Sequence, residues 1–182
     1  MRWILVLLSS MSMATNAEFL PQQLDRALIA TRARSFPELS TVSLELRESH
    51  SEEYLFETDI VRSSLWMPGR PRGYLLYLSS RFDTSTLSAR AQEAILAHEL
   101  QHVLDYESWS LARLAFFYAR YSWSADYRRN YERETDRRVL ARGYADGLIE
   151  YRVWLYARLS PEQVERKRRD YLSPEEIRAW RP

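Results

Sequence analysis

The chain has 182 residues, 46% of them hydrophobic and 13% aromatic, enough apolar material for one domain with its own core and too much for a disordered chain. Basic and acidic side chains nearly cancel, 26 against 25, which argues against a nucleic-acid-binding domain, whose phosphate contacts need a net basic face. With no cysteine, disulfides, thiolate metal ligands and a lipid on an N-terminal cysteine are excluded, so any metal must be held by His, Asp or Glu.

Met1-Arg2 is a short positive start, Trp3 to Leu8 is continuously apolar, and Ser9 to Ala17 is small and weakly polar. That order resembles a secretory signal peptide over residues 1–17, with Ala17 the last residue before cleavage, and predicts an exported chain, periplasmic or extracellular. An uncleaved anchor is the rival reading, but the apolar run is much shorter than the ~20 residues that span a bilayer. Without Arg2, the basic and acidic residues are equal in number. Residues 18–182 then read as a single domain.

Past the leader, Pro21 suits a first helical position, and Leu20, Leu24, Leu28 and Ile29 recur at helical spacing to about Ala33. Ser35-Phe36-Pro37 breaks this packing helix. Val42, Leu44 and Leu46 alternate with Ser43 and Glu45 as a short strand, and a polar loop from Arg47 to Glu53 carries His50, read as a solvated loop residue. Tyr54, Phe56, Thr58 and Ile60 alternate with Glu57 and Asp59, as in a sheet wet on one side, and Ser64 to Met67 is read as a further strand. Pro68 to Gly73 makes a turn, after which Tyr74 to Leu78 is a strongly apolar strand. That strand either borders a cleft, offering an edge to an extended peptide, or lies inside the sheet.

Asp83 to Ser88 supplies helix-start chemistry, and a helix is predicted from there to about Asp105. It carries His98-Glu99-Leu100-Gln101-His102. Histidines four apart on a helix point the same way, so both imidazoles can hold one metal ion, while Glu99 can take a proton from metal-bound water. Leu96, Leu100, Val103 and Leu104 form an apolar back to this helix. Asp105, one turn past His102, either orients a ligand or solvates the rim.

Tyr106 to Tyr131 is rich in aromatics, among them Trp109, Phe116, Phe117, Tyr118, Tyr121, Trp123 and Tyr127. It reads as helix packing over the scaffold as core or lid, with a hydrophobic substrate-binding or membrane-touching surface as the alternative. A second helix, predicted from Arg128 to Leu148, carries Glu132 and Asp136 four apart on one face. Their spacing suggests a division of work: Glu132 as the third metal ligand, Asp136 accepting from the far nitrogen of a histidine, His98 by preference. Gly143, two turns on, would let two helices approach closely. A solvated helix of Glu/Arg pairs is the plainer reading of this stretch. Ser160-Pro161-Glu162-Gln163 and Ser173-Pro174-Glu175-Glu176 each read as a capped helix start. Arg166 to Arg169, including Lys167, the only lysine, is read as a solvated basic face, with contact to an anionic membrane surface or partner as the alternative.

The pair of motifs, His98-Glu-Leu-Gln-His102 and then Glu132-Arg-Glu-Thr-Asp136-Arg137, resembles the gluzincin zinc metallopeptidases. The nearest branch holds the CAAX prenyl proteases, the periplasmic chaperone-proteases and the minigluzincins. The likeness covers about forty residues within 83–148, the expected metal-binding core. It implies one Zn²⁺ per chain, with His98, His102 and Glu132 as ligands, Glu99 as general base and Asp136 behind a histidine. It also implies an α+β, zincin-like fold: a small mixed sheet packed on an active-site helix and a glutamate helix, with a helical C-terminal part. The function so implied is hydrolysis of peptide bonds in a peptide or protein substrate. Members usually place a His, Tyr or Arg further on to stabilise the oxyanion. No histidine follows His102, leaving Tyr144, Tyr151 and Arg152 as candidates. The alternatives are a non-catalytic zincin-like binding or chaperone module at the cell envelope, and an aromatic-rich interaction protein with no metal.

Overall fold

A computed structural model describes residues 22–52, 54–66 and 72–180. The expected leader over residues 1–17, the helix start at Leu20 and Pro21, and most of the turn at Pro68 to Gly73 lie outside the described residues. The element order is α1 (Gln22–Ser35), β1 (Ser43–Ser49), β2 (Phe56–Ile60), β3 (Gly73–Ser79), α2 (Ala89–Ser108), α3 (Leu111–Trp123), α4 (Ala125–Ala141), α5 (Ala145–Tyr156), α6 (Pro161–Asp170) and α7 (Pro174–Ala179), with 3-10 turns at Pro37–Leu39, Arg62–Trp66 and Thr84–Thr86. The fold is therefore α+β, a small mixed sheet followed by a helical C-terminal part. No helix among the described residues is long and apolar enough to cross a membrane.

The sheet order is β1-β3-β2, with β1 parallel and β2 antiparallel to β3. The apolar strand β3 is thus the interior strand, the second of the two readings that its sequence leaves open; its buried Tyr74, Leu76 and Leu78 agree with that position. The edge next to the metal-motif helix is β2. Register sets Phe56 opposite Leu78, Thr58 opposite Leu76 and Ile60 opposite Tyr74. Because strand side chains alternate, Phe56, Thr58 and Ile60 share one face, and Phe56 and Ile60 are buried. Thr58 is the polar member of that face. Ser64 to Trp66 forms part of a 3-10 turn rather than a strand.

Helix α2 is the centre of the molecule. Ser88 caps it by accepting from the Ala91 N–H, and every residue from Ala94 to Val103 is buried. It packs against α1, β2, α4 and α5. The long aromatic stretch is not one helix: Ser110 and Ser124 each cap a new one, accepting from the Arg113 and Tyr127 N–H groups. Both expected capping boxes, at Ser160 with Gln163 and at Ser173 with Glu176, are present.

The glutamate helix ends at Ala141 rather than Leu148. Gly143 has φ +90, its N–H bonds to the Leu140 carbonyl and the Tyr144 N–H to that of Val139. This is a left-handed helix stop, for which glycine is preferred. A Cβ at Gly143 would meet nothing within 4 Å, so the close helix approach expected there belongs instead to Gly147. A Cβ on Gly147 would overlap the Arg90 carbonyl oxygen and lie 2.9 Å from Ala94 Cβ. Replacing Gly147 with Ala should therefore part α5 from α2 and lower stability by about 1–3 kcal/mol, readable as a shift in the urea midpoint; an unchanged midpoint would show that the contact is slack.

Candidate metal centre

Helices α2 and α4 bring three donor atoms together. His98 Nε2 and His102 Nε2 are 3.1 Å apart, His98 Nε2 and Glu132 Oε2 3.2 Å, and His102 Nε2 and Glu132 Oε2 3.5 Å. Tetrahedral bonds of about 2.0–2.1 Å to one ion separate neighbouring donors by about 3.3–3.4 Å. The observed sides bracket that value, so this buried group can hold a metal ion. The helix pitch sets the His pair, with the rings edge to face at 4.7 Å, and α4 delivers the carboxylate across the interface.

Each donor has a second contact that fixes it. His98 Nδ1 lies 2.9 Å from Asp136 Oδ1, one turn beyond Glu132 on the same face of α4. Asp136 also accepts from the Arg152 guanidinium at 3.0 and 3.2 Å and from the Leu172 N–H at 2.9 Å. His102 Nδ1 lies 3.0 Å from the Tyr131 hydroxyl. With an ion held in the triangle, both Nε2 atoms would serve as ligands and both Nδ1 atoms would carry the proton, given to Asp136 by His98 and to Tyr131 by His102. The Tyr121 hydroxyl donates to Glu132 Oε1, leaving Oε2 for the triangle.

The electrostatics favour a cation. Burial opposes ionisation of Glu132, but His102 and His98 outweigh it and hold the carboxyl well below its usual range. Burial likewise opposes charge on Asp136, and Arg152, His98 and the Leu172 N–H lower it overall. Burial would lower the His98 pKa, yet hydrogen bonds to Asp136 and Glu132 push it up to about 10. The pocket thus draws positive charge onto itself, as a metal site must. Burial, followed by Tyr106 and Asp105, raises the Tyr131 pKa, so its hydroxyl stays neutral and can accept from His102.

Glu99 points from α2 towards the sheet, where Thr58 Oγ1 donates to its Oε2 at 2.7 Å. The alternation of β2 puts Thr58 there. Asp105 is buried rather than solvated, accepting from Arg138 at 2.8 Å and Gln101 at 3.2 Å. His50 is an exposed loop residue beside Ser80. Of the oxyanion candidates, Tyr144 turns away: its hydroxyl pairs with Ser35 at 2.7 Å and Arg34 at 3.2 Å, lining a separate pocket with Arg90 and Arg142. Arg152 is buried behind Asp136, its guanidinium 4.6 Å from the Tyr171 ring. Tyr151 is buried next to it, and burial pushes its hydroxyl pKa up despite Arg152. Lys167, expected in a solvated run, is buried with its ammonium 3.3 Å from the Tyr54 ring centroid.

In the sequence, Tyr121 and Tyr131 belong to an aromatic stretch that reads as core or lid, with no part in the site. The available signal was that Tyr131 precedes Glu132, one position off the ligand face. Comparison with protein-family models, curated proteins and solved structures finds no match to this chain. Replacing Tyr131 with Phe should weaken metal binding by about 10-fold or more, the usual effect of removing a histidine's outer partner, with unfolding midpoints of the metal-free forms close together. Competition with a chelating dye reads this; equal affinities would show that Tyr131 does not orient His102.

Proposed function

We propose that this chain is an exported zinc metallopeptidase of gluzincin type that hydrolyses peptide bonds. The observation that carries the proposal is the donor triangle with a carboxylate, Glu99, rooted beside one of its corners and held by Thr58. Two imidazoles and a carboxylate in tetrahedral spacing suit zinc. A zinc ion bound there would supply a water of near-neutral pKa and polarise a substrate carbonyl.

The chain's own residues divide the remaining work. Asp136 and Tyr131 hold the two imidazoles in the tautomer that leaves Nε2 free. Thr58 fixes Glu99 Oε2, and Oε1 makes no hydrogen bond among the described residues. That oxygen can take a proton from the attacking water and pass it to the leaving amine. Strand β2 ends the sheet beside α2, so an extended peptide can add along its free edge close to Glu99. Of the three oxyanion candidates, Tyr144 points away and Arg152 is committed to Asp136, which leaves Tyr151, whose hydroxyl burial keeps neutral despite Arg152. Export rests on the leader-like residues 1–17.

One observation favours a second reading, a metal-stabilised binding or chaperone module without catalysis. His98, His102 and Glu132 are 2%, 7% and 2% exposed, and structural metal sites are closed whereas catalytic ones keep an open position. The two readings part on one variant. Glu99→Gln should keep about one zinc per chain and lose about 10²–10⁴-fold of cleavage of an unfolded protein. A variant that cuts as fast as the parent overturns the peptidase proposal; a zinc-loaded parent that cuts nothing but suppresses aggregation favours the second reading.

A further inference from the structure

We propose that the outer face of α3 docks on an anionic lipid surface. The inner face of this helix, LARLAFFYARYSW, buries Leu114 and Phe117 and sends Tyr121 to Glu132. At 100° per residue, Leu111, Ala112, Ala115, Phe116, Ala119 and Trp123 occupy the opposite arc, interrupted by Ser122. Leu111 is 50%, Phe116 59% and Trp123 87% exposed. A surface helix of a water-soluble domain ordinarily carries its charges there. Here the side away from the core is apolar as well, which marks a contact surface.

The charges on α3 identify the occupant. The helix has no acidic residue, and Arg113 and Arg120, two turns apart, line one border of the apolar arc. Neither forms an ion pair among the described residues: Arg113 lies over the Trp109 ring at 4.6 Å, and Arg120 near Phe116 and Tyr127 at 5.8 and 5.4 Å. On the neighbouring α4, by contrast, Arg129, Arg133, Arg137 and Arg138 all pair with carboxylates. Two unpaired guanidinium groups beside a strip of Phe, Leu and Trp match an interface of anionic headgroups over acyl chains. A second copy of the same face would bring only like charge. At 13 residues the helix is too short to span a bilayer and would lie in its plane. This inference does not rest on the peptidase proposal.

The test is flotation of the chain from Glu18 onward, without the apolar residues 1–17, with vesicles of phosphatidylcholine containing about one third phosphatidylglycerol, against vesicles of phosphatidylcholine alone. The chain should float with the anionic vesicles and bind the neutral ones about 10-fold less. Phe116→Asp with Trp123→Asp should cut anionic binding about 10-fold or more, with circular dichroism and metal content unchanged. Arg113→Gln with Arg120→Gln should erase the preference for the anionic vesicles. Equal binding to both vesicles, equal binding by the Asp variant, or a parent that stays unbound and forms a dimer dissolved by Trp123→Asp would each overturn the proposal.

Discussion

Two carboxylates buried on one face of α4 are the constraint on which the rest of the structure depends. Glu132 is 2% exposed and Asp136 fully buried, and each would cost several kcal/mol in a dry interior without compensating charge and hydrogen bonds. Compensation comes from four directions: the imidazoles of α2, the Arg152 guanidinium of α5, the Leu172 backbone N–H between α6 and α7, and the Tyr121 hydroxyl of α3. Satisfying those two acids therefore pins four helices, α2 to α5, and the link between α6 and α7 around one point. The donor triangle and the packing of the helical part are a single arrangement.

That arrangement explains how a donor triangle is held to within a few tenths of an ångström by side chains from different helices. The His pair is rigid because α2 is buried on all sides from Ala94 to Val103, with sheet on one side and Gly147 admitting α5 on another. Glu132 has one oxygen tied by Tyr121, and each histidine has its outer nitrogen tied by Asp136 or Tyr131. Donors restrained in this way need little reorganisation to accept an ion. Glu99 sits on the same helix but faces β2, so its partner comes from the sheet rather than from the groups that support the donor triangle.

Much of this was legible in the sequence, for reasons of period. Helical spacing alone puts His98 with His102 and Glu132 with Asp136, and serine followed three residues later by Gln or Glu marks the starts of α6 and α7. The parts that were not legible depend on where the chain bends back. An aromatic run such as Tyr106 to Tyr131 looks uniform until Ser110 and Ser124 are seen to cap new helices, and only then do Tyr121 and Tyr131 face the donors. Strand order is likewise not written in a strand's own pattern, so the interior place of β3 could not be told from an edge. Gly143 and Gly147 lie four apart; their roles differ only by the positive φ of the first and the Arg90 carbonyl against the second.

The most direct measurement of the central claim is X-ray absorption at the zinc edge on chain purified without chelator. The proposed zinc site predicts one zinc per chain with two imidazole nitrogens and carboxylate oxygen in a shell at about 2.0–2.2 Å. A chain that takes up no metal, or one whose shell keeps both imidazoles after Glu132→Ala with distances and oxygen count unchanged, would contradict it.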